Sequence, residues 1–270
     1  MKSQPPIALG DGSLAVPPQT TEPATMKIQL VVFDISGTTV RDDDAVTTCL
    51  REALAEFISL ERVDVNKVMG WSKPVAIREL LALKLADKRD LSEELVTTIY
   101  EDFLARMLHF YRTAPCVEPM PYTMETVGRL KQAGLSVALD TGFSRPIVDA
   151  ILARLGWQEN GLFDATVASD EVPRGRPHAD LLVRAMALTG TTDAKKVAKV
   201  GDTPSDLQEG MAAGCGLVIG VTNGYHSREE LAAHPHTHLV GDLRELPAIV
   251  LAESPPCEDE NGFPIRPLPA

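Results

Sequence analysis

The residues most able to do chemistry sit at the ends of short apolar runs. In VVFDISGTTV, residues 31–40, an apolar run ends on Asp34 and turns through Ser36, Gly37, Thr38 and Thr39. A carboxylate presented at a strand end ahead of a Gly-Thr turn can act as a nucleophile or a hard metal ligand, or it can simply cap the turn. KVGDTPSDLQEG puts Asp202 at a second strand end, with Asp206 four residues on in the helix that follows. Carboxylates at two neighbouring strand ends form an oxygen site suited to Mg²⁺. Asp206 reads better as a supporting residue, or as negative charge in a first helical turn, than as a direct ligand.

Three further positions could bind or attack. Thr141 and Gly142 close the run VALDTG and would offer a hydroxyl and a backbone N–H to a phosphate oxygen. Arg176, in DEVPRGRPHADLL, is fixed by Pro177 ahead of a helix and could fork onto phosphate oxygens; the alternative is a surface arginine. Lys73, in MGWSKPVAIREL, precedes Pro74, a residue suited to the first helical position. The positive end of the helix dipole and burial both disfavour an ammonium there, so Lys73 is a candidate amine nucleophile. The same location also suits a cationic clamp for a substrate phosphate.

These residues need a scaffold that brings strand ends together. From residue 27 onward β-type runs (27–34, 134–142, 165–169, 196–203 and 216–224) alternate with helical patterns at 122–133, 146–155, 179–189 and 205–213. That alternation implies an α/β fold with a doubly wound parallel sheet. Ligands of such sheets sit at the C-terminal ends of the strands, so the Asp34, Thr141 and Asp202 turns are expected to converge at one edge. Residues 44–113 break the alternation with three amphipathic helical patterns. This reads as a helical cap inserted after the first strand. Its linkers, VRDDD and the proline-rich APCVEPMP, would act as a hinge. The expected organisation is an N-terminal disordered extension over 1–25, an α/β core over 26–41 and 116–251, a helical cap over 42–115, and a proline-rich tail over 252–270. Met26 could serve as an alternative start.

Composition excludes other classes. A chain of 270 residues with 44% hydrophobic content can bury a sizeable core and a smaller second unit. The net charge of −12, with no block of Lys and Arg, argues against nucleic acid as a partner. No apolar run reaches membrane-spanning length, and the N-terminal prolines interrupt any signal-peptide core. Cys49, Cys116, Cys215 and Cys257 are scattered with no CxxC pair, as in a reduced cytoplasmic protein without a zinc knuckle.

With Asp34, Thr141, Arg176 and Asp202 in this order, residues 27–251 resemble a haloacid dehalogenase superfamily hydrolase with a Rossmann-like core and helical cap. Within that superfamily the chain is most similar to the phosphonatase and phosphonatase-like family. The likeness rests on DISGTT, MGWSK (the Met-Gly-x-x-Lys cap motif), TGFSR, VPRGRP, KVGDTPSDLQEG and HPHTHLV. Arg176 stands where the superfamily usually has Lys, and Ser36 where most members carry a second Asp. Ala76 stands where the family has a His one turn after the cap lysine, and Phe143 where it has Tyr. The resemblance implies that Asp34 attacks phosphorus to give an aspartyl-phosphate, and that Asp34, the Ser36 backbone carbonyl and Asp202 hold Mg²⁺. It further implies that Thr141, Gly142 and Arg176 bind the phosphoryl group, that Lys73 forms a Schiff base, and that the protein dimerises through the cap.

The missing second Asp then has a chemical reading. A phosphatase needs that acid to protonate a departing alkoxide. An imine at the adjacent carbon lets the departing carbon leave as an enamine, so the acid is dispensable. The expected function is Mg²⁺-dependent P–C cleavage of a small phosphonate aldehyde such as phosphonoacetaldehyde. The alternatives are a phosphomonoesterase on a small phosphometabolite, which also tolerates a basic residue at 73, and a phosphometabolite-binding protein that has lost catalysis.

Overall fold

The computed structural model describes residues 1, 27–85 and 90–252. The expected N-terminal extension and proline-rich tail lie almost entirely outside the described residues, as do Met26 and Cys257.

Six parallel strands form one sheet in the order β3-β2-β1-β4-β5-β6: β1 (Leu30–Phe33), β2 (Ser136–Asp140), β3 (Ala165–Val167), β4 (Val197–Gly201), β5 (Leu217–Val221) and β6 (His238–Val240). The central strand β1 reads LVVF and is buried throughout, as a parallel strand covered on both faces must be. Alternate residues divide between two cores. Val31 and Phe33 join one, whereas Leu30 and Val32 join the other with Leu181, Leu182 and Leu207.

The second face is covered by α7 (Asp180–Thr189), α8 (Pro204–Ala213) and α9 (Arg228–Ala232). The first carries α5 (Thr123–Gln132), α6 (Arg145–Leu155) and α10 (Leu246–Ala252). Between β1 and β2 the chain forms α1 (Ala45–Leu54), α2 (Arg62–Asn66), α3 (Lys73–Lys84) and α4 (Glu93–Thr113). Helix α4 begins with Ser92 Oγ accepting from the Leu95 N–H and with Glu93 and Glu94 in its first turn, a favourable N-terminus. Its buried residues Val96, Ile99, Phe103, Met107 and Tyr111 recur every three or four positions, one apolar stripe set against α1, α3 and α6. The buried cluster on the first sheet face runs without a break into these helices.

The two linkers lie side by side. Arg41 N–H donates to Glu118 O at 3.0 Å, Met120 N–H donates to Thr39 O at 2.9 Å, and Arg41 pairs with the Glu118 carboxylate. Asp43, Asp44 and Tyr122 around this contact are in the left-handed region, which costs energy for side chains other than glycine.

Three elements differ from the sequence expectation. Helix α1 ends at Leu54 rather than near residue 60, and Ile58 and Leu60 bury from the non-helical segment that follows it. The five-residue α2 is new, with Glu61 and Asp64 forming its capping box. Strand β6 inside HPHTHLV extends the sheet by one edge.

Candidate active site

Strand β1 delivers Asp34, whose N–H donates to Val200 O at 2.9 Å on β4. The chain then turns at once: Thr39 and Val40 donate backbone N–H groups to Ile35 O, and Thr39 Oγ1 donates to Asp34 O at 2.9 Å. Gly37 has φ +83°, and a Cβ there would collide with the Asp202 carboxylate. Asp202, at the end of the neighbouring β4, has no exposure and is gripped on both oxygens. Thr38 Oγ1 donates to Oδ1 at 2.7 Å and the Tyr225 N–H to Oδ2 at 2.6 Å. Carboxylate oxygens of Asp34, Asp202 and Asp206 come within 4.8 Å of one another.

Below this edge lies a buried lattice of charge. Arg176 is held by four of the protein's own acids. Nε donates to Glu209 at 2.9 Å, Nη1 donates to Asp34 at 2.7 Å and pairs with Asp206 at 3.0 Å, and Nη2 donates to the Asp140 carbonyl and carboxylate. Lys199, from the middle of β4, pairs with Asp140, with Asp206 at 3.1 Å and with Glu209 at 3.2 Å. The planar guanidinium offers five donors in a fixed fork, against three on the lysine ammonium, which suits Arg176 to carboxylates on several sides. Arg176 thus lines the cavity while its donors face the protein's own acids.

The electrostatics follow from burial and from an acid surplus. Five buried carboxylates (Asp34, Asp140, Asp202, Asp206 and Glu209) face two buried cations, Arg176 and Lys199. Burial raises Asp34 to about 6, against the pull of Arg176. Asp202 is held well above the usual carboxylate range by burial and by the nearby Asp34 and Asp206. Burial also pushes Glu209 up to about 8, with Asp140 adding to it. Burial acts the same way on Asp206, but Arg176 and Lys199 outweigh it and hold that carboxyl low. Acids forced toward protonation at a shared oxygen site are what a hard divalent cation relieves. The residues therefore fit a divalent metal held by Asp34 and Asp202, with Asp206 next to them. Asp206 is also the N-capping partner of α8: its Oδ2 accepts from Thr203 Oγ1 at 2.6 Å, and it pairs with both buried cations.

Lys73 enters from the opposite side. It is the first residue of α3, after Ser72 and before Pro74. The preceding turn, Met69 to Trp71, is seated on the sheet edge. Ser205 Oγ donates to Met69 O at 3.0 Å, and Gly142 lies so close to Gly70 O and Trp71 O that a Cβ on it would strike both. Lys73 is 3% exposed; its Nζ donates to Trp71 O at 3.0 Å and stands 5.1 Å from the centroid of the Phe143 ring. Burial pulls its pKa down to about 8, against the opposing pull of Asp34.

One cavity of about 480 Å³ is lined by Asp34, Ser36, Lys73, Thr141, Gly142 and Arg176, so six of the seven residues singled out in the sequence share it. The seventh, Asp202, lies behind Gly37 and Gly224. Thr141 Oγ1 accepts from the Phe143 N–H at 3.2 Å, which fixes the hydroxyl at the cavity wall. Ser36 Oγ donates to Asp42 Oδ1 at 2.8 Å. Lys199, Asp140, Glu209, Asp42 and Tyr225 were not singled out in the sequence. A lysine in the apolar run KVAKVGDT was the one available signal, since a buried lysine demands carboxylate partners.

The fold and this edge define the class: residues 28–214 match the haloacid dehalogenase-like hydrolase family, and the chain belongs to it as a hydrolytic enzyme. The particular likeness is to phosphonoacetaldehyde hydrolases. That of Bordetella pertussis is 33% identical over 70% of this chain and 71% of its own, and that of Lysinibacillus sphaericus 29% identical over 77% and 81%. A phosphonoacetaldehyde hydrolase-like protein of Oleispira antarctica has the same fold, with a TM-score of 0.70 at 18% identity over 84% of this chain and 92% of that one. The binding-protein alternative falls with the family assignment. No helix among the described residues is long and apolar enough to cross a membrane.

Proposed function

We propose that this hydrolase is a Mg²⁺-dependent phosphonatase-like enzyme that cleaves the P–C bond of a small phosphonate aldehyde, with Lys73 forming an imine and Asp34 accepting the phosphoryl group. The observation that carries the reading is Lys73: a buried amine with a pKa near 8, facing the same cavity as Asp34. An amine so tuned has a substantial neutral fraction near neutral pH and can attack a carbonyl carbon.

In this reading α1–α4 form the cap. The neutral Lys73 amine adds to the aldehyde and, with one proton taken from solvent, expels water to leave a protonated imine. An Asp34 carboxylate oxygen attacks phosphorus. The P–C bond breaks and its electron pair moves into the imine as an enamine, so no acid is needed at the departing carbon. The enamine takes a proton at carbon, and water releases acetaldehyde and the free amine. A second water attacks phosphorus and returns Asp34 with inorganic phosphate. Mg²⁺ at Asp34, the Ser36 carbonyl and Asp202 would offset negative charge between nucleophile and phosphonate. Arg176 holds Asp34 in line, and Thr141 and Gly142 receive phosphoryl oxygens.

Borohydride reduction in the presence of phosphonoacetaldehyde, followed by peptide mapping, tests the reading. It should leave an adduct on Lys73 alone. No trapped adduct and no acetaldehyde release, together with hydrolysis of a phosphate monoester, would move the enzyme to the phosphomonoesterase reading, in which Lys73 is a phosphate clamp. Ala76, in place of the family's histidine, favours that second reading.

A further inference from the structure

We propose that Tyr225 is a positioning residue that ties the seating of α1 and α2 to the carboxylate of Asp202. The loop after β5 passes beside the end of β4. There the Tyr225 N–H donates to Asp202 Oδ2 at 2.6 Å, and Gly224 is pressed so close that any Cβ would collide with the Asp202 side chain. The phenol of the same residue reaches the other way. It donates to Asn66 Oδ1, at the end of α2, at 2.9 Å, and lies 3.0 Å from Thr47 Oγ1 on α1. Because Asn66 takes the phenolic hydrogen, Thr47 must donate to the phenol oxygen, so one hydroxyl joins two helices with both of its capacities used. Arg62, the first residue of α2, covers the ring at 5.2 Å from its centroid.

One residue thus holds an acid of the sheet edge through its backbone and two helices across the cavity through its side chain. When α1 and α2 are seated, the ring is pinned and the loop that grips Asp202 is fixed. When they lift, the phenol loses both partners and the loop is freed. The inference rests on the reading of α1–α4 as a cap under Proposed function.

Tyr225→Phe keeps the ring and the backbone N–H and removes only the link to the helices. Losing two neutral hydrogen bonds that form only when the helices are seated should lower the closed fraction by roughly ten-fold. In a Trp157→Phe background Trp71 is the sole tryptophan and sits in the turn docked on the sheet edge, so its emission reports seating. Titrated with inorganic phosphate in Mg²⁺, Tyr225→Phe should need about ten-fold more phosphate for half the emission change. Its kcat/KM for p-nitrophenyl phosphate should fall about as much, and Mg²⁺ binding without phosphate should stay within two-fold. Thr47→Val with Asn66→Ala should reproduce this shift, and adding Tyr225→Phe to that pair should change nothing more. An unchanged phosphate midpoint, a weakened Mg²⁺ site or additive losses would each overturn the proposal. A wild-type protein that shows the phosphate response but turns over neither p-nitrophenyl phosphate nor phosphonoacetaldehyde would sink the catalytic reading and leave the role of Tyr225 standing.

Discussion

Lys73 Nζ stands 5.1 Å from the centroid of the Phe143 ring, and its one hydrogen bond among the described residues goes to Trp71 O. The amine is thus held by an aromatic face and a carbonyl, with no carboxylate in hydrogen-bonding contact. Its folded pKa, about 8, lies below the ordinary 10.5. Below pH 8 both the folded and the unfolded chain carry the proton, and the fold bears the full cost of a buried ammonium. That cost fades as pH rises from about 8 toward 10.5. The separation corresponds to about 3 kcal/mol, and losing the bond to Trp71 subtracts about 1. Lys73→Met should therefore raise stability by about 2 kcal/mol at pH 7, less at pH 10, while abolishing turnover. Denaturant melts at the two pH values read this out; a destabilised variant would show that the amine is better accommodated than its burial implies.

Lys73→Arg separates the two catalytic readings. Arg keeps the charge and can clamp phosphate, but it forms no imine at accessible pH. A clamp role predicts a loss on the order of ten-fold, or ~1.4 kcal/mol. The imine role predicts loss of P–C cleavage down to background, which we expect. Retained acetaldehyde release in this variant would end the imine reading.

The pH dependence separates them again. Asp34 must be ionised to attack, so kcat/KM should rise through about pH 6, with Mg²⁺ moving that limb lower. If Lys73 must be neutral, the rate should keep rising to about 8 and then level. If it must be charged, the rate should fall above about 8. The expected profile is a rise with no alkaline decline, and a bell-shaped profile would argue for the clamp.

The legible part of this site was the part written in strand-end motifs. Asp34, Thr141 and Asp202 each follow an apolar run, and adjacency of β2, β1 and β4 brings them together. Lys73 was legible because Pro74 marks a helix start. Arg176 was legible as a residue aimed at the site, but its engagement by Asp34, Asp140, Asp206 and Glu209 was not. Glu209 looks like any helix glutamate, and Asp140 like a turn residue. Only the three-dimensional placement of Lys199 shows why these acids tolerate burial. Tyr225 was hidden for another reason: its function lies in two elements far from it in sequence, α1 and α2. Strand β6 was missed because three residues, two of them half-buried, show too little alternation to stand out.

The buried lattice makes its own prediction. Lys199→Met removes a cation shared by Asp140, Asp206 and Glu209 while keeping the volume similar. Breaking a buried ion network by deleting one partner costs about 3–5 kcal/mol, because acids are left unpaired in low dielectric. Glu209 would rise further above about 8 and take up a proton, which softens the loss at low pH. Lys199→Met should therefore unfold at markedly lower denaturant at pH 8 than at pH 6, and adding Glu209→Gln should recover part of the stability. No recovery in the double variant would place the lattice's weight on Arg176 alone.

Ser36 carries the last prediction, because its neighbour decides what the missing second acid can do. The obvious experiment, Ser36→Asp, installs a carboxyl where Ser36 Oγ now donates to Asp42 Oδ1 at 2.8 Å. Asp42 is already raised above the ordinary carboxylate value by burial, with the Ser36 hydrogen bond opposing that rise. Replacing the donor by a second acid puts two carboxyls in contact, so one must stay protonated or turn away. Ser36→Asp alone should lose stability by about 1–3 kcal/mol and gain little activity on an alkyl phosphate such as glycerol phosphate. Ser36→Asp with Asp42→Ser exchanges the pair, restores one donor to one acceptor, and should raise alkyl-phosphate hydrolysis at least ten-fold over the single variant. Neither variant should speed P–C cleavage, because a carbon that departs as an enamine needs no proton at that step. A gain in P–C cleavage from either variant would show that the leaving group does require an acid, and the imine mechanism would have to be abandoned.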